Sequence, residues 1–143
     1  MEKVSKENEW RKYIYTKLNL SSEICENVDL NTNNYKIIIN ELLSFIANTR
    51  QFKFIFNFEL DNIRYNSDKR TFTLINLNDA KFKLTELTDS EYYFNFVSVY
   101  FSICKNYNDN QNVINYLKSQ IVKYIPIKEL NNFHLITNVL DLY

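Results

Sequence analysis

The sequence predicts an α-dominated α+β fold: about five helices with a small antiparallel β patch, residues ~52–86, packed on a buried central helix at ~89–105. Three observations predict it. Apolar residues recur at spacings of three and four in four separate stretches, the mark of an amphipathic helix. Phe52 to Phe58 alternates at period two and is followed by turn chemistry, the mark of strands and a hairpin. Tyr92 to Cys104 is apolar on nearly every side, the mark of a buried helix. With 143 residues, 45% hydrophobic and 24% charged, the chain is expected to form a single globular domain, 1–143, with a core of its own.

In chain order, Trp10, Tyr13, Ile14 and Leu18 predict an amphipathic helix over 7–19. A polar stretch follows, with a short helical turn at Glu23–Glu26. Asn33 or Asn34 is positioned to cap a helix over Tyr35–Ala47, whose stripe is Ile38, Ile39, Leu42, Leu43 and Ile46, with Asn48 as its stop. Phe52–Phe58 reads as a strand with four Phe on one face. Ile63–Tyr65 and Thr71–Leu77 read as a hairpin around Asn66-Ser67-Asp68-Lys69, and Lys81–Leu87 alternates more weakly. Thr88-Asp89-Ser90-Glu91 is a capping box opening the central helix. Val113, Ile114, Leu117, Ile121 and Val122 mark a further helix ended by Pro126, and Leu130, Phe133, Ile136 or Leu135, Val139 and Leu140 a last one over 128–140.

Composition excludes several function classes. There is no Gly, one Pro, only two Ala and 22 Asn; Asn, Lys, Ile, Tyr and Phe fill half of all positions, the signature of an A/T-rich genome such as that of a virus, phage, parasite or low-GC bacterium. Without Gly, no phosphate-cradling loop of the Walker or dinucleotide type can form. Left-handed turn positions then fall to other residues, and Asn is the expected substitute. Seventeen basic residues balance seventeen acidic ones, so nucleic-acid binding is not the expected role, a local patch of Lys53, Arg64, Lys69 and Arg70 notwithstanding. The charged N-terminus has no secretory h-region. The apolar run to Cys104, broken by Asn95, Ser98 and Ser102, is too short for a bilayer, which takes ~20 residues. Cys25 and Cys104 are distant in sequence and read as reduced structural thiols, consistent with an intracellular, cytoplasmic chain.

The order of elements over residues 35–105 resembles the C-lobe of protein-kinase-like folds. Tyr35–Ala47 resembles the helix before the catalytic loop, and Lys53–Phe56 the strand. Asn62-Ile63-Arg64-Tyr65 resembles the loop Asn with the first hairpin strand, and Thr71–Ile75 the second. Asn76-Leu77-Asn78 stands where the metal-binding Asp-Phe-Gly triplet would be. The resemblance implies a stripped, pseudokinase-like lobe. Its catalytic-base position falls on Asn57, an amide that takes no proton from a hydroxyl at neutral pH. Its metal-binding Asp falls on Asn76, which lacks the anionic charge Mg²⁺ prefers. Asn62 alone matches the family residue.

Other chemistries fare no better. Glu59, Asp61, Asp68 and Asp79 read as turn and solvated residues, with no His among them. His134 is the sole His and reads as a packing or surface residue, so a Cys–His or Ser–His–Asp device has no frame. The Phe52/54/56/58 row reads as a core face and not as a base-stacking sheet. No catalytic, cofactor-binding or metal site is expected. The expected function is a non-catalytic protein-interaction module, viral or phage in type, binding a host protein; self-association through an aromatic patch is a secondary expectation. The alternatives are a small nucleotide- or metal-dependent enzyme using the acids of 57–79, and a nucleic-acid binder.

Overall fold

The computed structural model describes residues 26–77 and 80–141, with side chains through Thr137. The expected helix over 7–19, together with Cys25, Asn78 and Asp79, lies outside the described residues. Within them the order is β1 (Glu26–Asn27), α1 (Tyr35–Gln51), β2 (Phe54–Ile55), a 3₁₀ turn (Leu60–Asn62), β3 (Ile63–Asn66), β4 (Thr71–Leu74), β5 (Lys81–Phe82), α2 (Asp89–Asn106), α3 (Gln111–Ile121) and α4 (Ile127–Asp141). The α-dominated α+β class and the small β patch are as expected, with four α-helices among the described residues.

The β patch is two antiparallel sheets. One has the order β1-β3-β4, the other pairs β2 with β5. The β3–β4 hairpin aligns Ile63 with Leu74 and Asn66 with Thr71, and Asn66 Oδ1 closes its turn by accepting from the N–H groups of Asp68 and Lys69. Glu26, expected in a helical turn, instead lies in β1 opposite Tyr65.

Several expected boundaries shift, each for a physical reason. Helix α1 runs past Asn48 to Gln51, and this last turn is packed into the core through wholly buried Thr49, whose hydroxyl donates to the Ile46 carbonyl at 2.6 Å and accepts from Asn95 Nδ2. Pro126 does not end α3, which stops at Ile121. It stands directly before α4, where a residue with no N–H and a fixed φ suits a helix start, and its carbonyl accepts from Glu129 N. The left-handed positions are Lys53 (φ 57°), Arg70 (φ 54°) and Asn76 (φ 58°), so in this glycine-free chain Asn fills only one of the three found among the described residues.

The capping box forms. Thr88 Oγ1 accepts from Glu91 N at 3.2 Å, and Glu91 Oε1 accepts from Thr88 N at 2.8 Å. Lys83 Nζ adds a 2.6 Å ion pair to the same oxygen. Lys83, and then the Thr88 N–H, hold the Glu91 carboxyl below the ordinary carboxylate range. A depressed folded-state pKa contributes stability above the unfolded pKa and loses it as pH falls through the folded one. Thr88→Ala should therefore cost about 1 kcal/mol at neutral pH. Glu91→Gln should flatten the acid limb of a urea-midpoint titration below the unfolded carboxyl pKa of about 4.3. An unchanged acid limb in Glu91→Gln would show that this carboxylate is not coupled to folding.

Candidate functional site: the groove beside the central helix

The segment between β2 and β3 positions the site. Phe54, Phe56, Phe58 and Leu60 are all buried, while Asn57 is half-buried and Glu59 and Asp61 are exposed. The alternation expected of a strand over 52–58 is therefore present, but strand pairing covers only Phe54–Ile55. Residues 56–60 instead find hydrogen-bond acceptors on the side chains of α2. Phe56 N donates to Asn95 Oδ1 at 3.0 Å, Phe58 N to Ser98 Oγ at 2.9 Å and Leu60 N to Ser102 Oγ at 2.8 Å.

The register has a simple geometric basis. Two residues of extended chain advance about 6.6 Å, and three to four residues of helix about 4.5–6 Å. Donors at 56, 58 and 60 thus stay in step with acceptors at 95, 98 and 102. Asn95 is the hub: its amide nitrogen also donates to the Phe54 carbonyl and to Thr49 Oγ1, both at 2.9 Å, so one wholly buried side chain ties α1, β2 and α2 together.

The central helix is buried over most of its surface, as expected, but its inward side is not purely apolar. The polar residues Asn95, Ser98 and Ser102 face inward, because buried backbone donors need partners. Phe96, Val99, Tyr100 and Ile103 fill the core. Phe94 and Phe101 are consequently turned outward, 46% and 42% exposed, with half-buried Val97 between them. Spacings of three and seven place these three on one helical stripe. That stripe and the outward row Asn57, Glu59 and Asp61 form the two walls of a groove of about 380 Å³, with Lys105 at its end. The signal was present in the sequence as two interleaved i, i+3, i+7 sets, one polar and one apolar.

The three kinase-like positions meet where the same segment joins the β3–β4 hairpin. Asn62 Nδ2 donates to the Asn57 carbonyl at 3.1 Å, Asn76 Nδ2 donates to Asn62 Oδ1 at 2.9 Å, and Ile75 N donates to the Asn62 carbonyl at 2.9 Å. Asn62 and Asn76 join through their side chains, but Asn57 joins through its backbone, its side chain lining the groove. The amide of Asn62 is thus used on both its oxygen and its nitrogen to hold the loop onto the hairpin.

The remaining candidates are dispersed. Arg70 forms an ion pair with Glu41, which raises the Arg70 pKa further. The Tyr65 hydroxyl donates to Glu41 Oε2 at 3.0 Å, and burial, then Glu41, raise its pKa. Arg64 is spent on the carbonyls of Asp61 and Ile63, and Lys53 lies in the α1–β2 turn. Asp68 sits in the hairpin turn, His134 is exposed on α4, and Cys104 is partly buried on α2. No group of three or more His, Cys, Asp or Glu among the described residues could hold a metal ion, and no described helix is long and apolar enough to cross a membrane. No family model, curated protein or solved structure matches this chain.

Proposed function

We propose that this chain is a non-catalytic protein-interaction module with a kinase-C-lobe-like order of elements, working inside the cell by occupying the surface of a partner protein, as a viral or phage modulator of a host protein does. The observation that carries the reading is the outward aromatic stripe of α2. A helix at the centre of the core turns Phe94 and Phe101 to solvent beside a groove, and aromatic residues are enriched where proteins meet. The amide cluster supports it from the other side: Asn57 and Asn76 supply neither a base nor an anion, and Asn62 is engaged within the fold.

Two measurements test this reading. Affinity capture with the full chain from the cell that makes it is expected to recover a stoichiometric protein partner; repeated failure under several conditions sinks the reading. Thermal unfolding with and without ATP and Mg²⁺ is expected to give superimposable curves. A ligand at one hundred times its Kd adds about 2.7 kcal/mol, which would raise the Tm of a domain this size by at least about 5 °C. Such a shift would favour the nucleotide-dependent alternative.

A further inference from the structure

Resting on the interaction reading above, we propose that the groove between residues 57–61 and α2 receives an amphipathic helix of a partner protein. That helix presents apolar residues at i, i+3 or i+4, and i+7, and a lysine or arginine pair on its flank. Both walls of the groove specify this occupant.

The apolar wall is a helical stripe. Phe101 lies seven positions after Phe94 on α2, with Val97 between them, a rise of about 10 Å at 1.5 Å per residue. Two turns of a second helix present an apolar row of the same length, and ridges of this kind pack against one another at helix–helix contacts. An extended peptide would need its own backbone groups satisfied by a free edge beside the stripe. Here the adjacent N–H groups of Phe56, Phe58 and Leu60 are already committed to Asn95, Ser98 and Ser102. A helix satisfies its backbone internally and needs only side-chain complementarity.

The polar wall sets the charge. Glu59 and Asp61 are both exposed and both line the groove. Two residues apart on an extended segment, they are separated by about 6.6 Å, close to the 6 Å between residues i and i+4 of a helix. A cation pair at that spacing, on the flank of the docked helix, meets both carboxylates. Lys105, one turn beyond Phe101, closes the groove with a positive charge and accommodates an acidic residue or a helix C-terminus at the ligand's end. The exposed carboxylates contribute to encounter rate and partner choice, and the aromatic stripe to residence time.

The test is selection of a phage-displayed random peptide library against the full chain at low salt. Enriched peptides are expected to be helix-forming, with apolar residues at the stated spacing and lysine or arginine four apart. Their affinity should fall about tenfold or more in Phe101→Asp, as for an aromatic anchor. It should fall severalfold in the pair Glu59→Lys and Asp61→Lys and also on raising salt, and be unchanged in Leu84→Asp, a 98% exposed apolar residue outside the groove. Far-UV circular dichroism and urea midpoints of the variants check that each remains folded. Enriched peptides that are acidic, or whose binding ignores the groove substitutions, overturn the groove assignment while leaving the interaction module standing. A selection with no enrichment also overturns it, and only a failed affinity capture alongside it removes the module as well. If the wild-type chain is dimeric and Phe101→Asp makes it monomeric, the stripe is covered by a second copy, and the foreign helix is rejected.

Discussion

Asn95→Ala is expected to lose about 3–5 kcal/mol of folding stability, a large part of the 5–15 kcal/mol typical of a whole domain. The substitution strips the acceptor from Phe56 N–H and the donor from both the Phe54 carbonyl and Thr49 Oγ1. The buried Phe56 N–H left without a partner costs about 1–3 kcal/mol, Thr49 Oγ1 keeps its bond to the Ile46 carbonyl but loses the one from Asn95, and the vacated amide leaves a cavity besides. Asn95→Leu separates these causes. It restores most of the volume yet satisfies none of the backbone groups, so it should remain nearly as destabilised as the alanine variant. Ser98→Ala and Ser102→Ala each orphan one backbone donor and should cost about 1–2 kcal/mol. Urea midpoints measured at constant m-value read all four. An Asn95→Leu variant as stable as wild type would mean that solvent reaches the 56–60 segment and that the ladder does not hold it.

How far these features can be read in advance depends on whether the determining interaction is local. The α1 core stripe of Ile38, Ile39, Leu42, Leu43 and Ile46 and the capping box at Thr88 are local, and both stand where the sequence places them. The hairpin is local as well: Asn66 Oδ1 closes the turn on its own neighbours. The partners of Phe56, Phe58 and Leu60 lie about forty positions away, at |i−j| of 39, 40 and 42. Alternation alone cannot distinguish a strand paired with a strand from an extended segment bonded to a helix. The inward turn of Asn95, Ser98 and Ser102 follows from that long-range demand, so the buried helix carries one polar row toward the 56–60 segment. Pro126 misleads for a related reason. Its missing N–H is equally suited to breaking one helix and to starting the next. Asn57, Asn62 and Asn76 stand in the sequence at spacings of five and fourteen, and it is the β3–β4 hairpin that folds the third back onto the second.

Phe58→Ala should cost about 3–5 kcal/mol, whereas Phe94→Ala, at a 46% exposed position, should cost only about 1 kcal/mol. The two side chains are chemically identical and lie on opposite sides of the same ladder. Phe58 is wholly buried and meets the rings of Phe56 at 5.2 Å and of Phe54 and Phe45 at 6.4 Å, all edge-on. Such pairs add about 0.5–1.5 kcal/mol beyond area burial. The cost of truncation depends on how far the surroundings can collapse into the space. Here the segment is pinned on both sides of Phe58, by Asn95 at Phe56 and by Ser102 at Leu60, which limits relaxation and places the cost in the upper part of the range. Phe58→Leu, which keeps most of the volume, should recover all but about 1.5 kcal/mol. Phe94 is 46% exposed, so its loss removes far less buried area than that of Phe58 while shortening the stripe that lines the groove. Equal stabilities for Phe58→Ala and Phe94→Ala would place residues 56–60 outside the core. The predicted inequality, with peptide binding weakened only by the outer substitution among folded variants, separates the residue that holds the segment from the one that faces a partner.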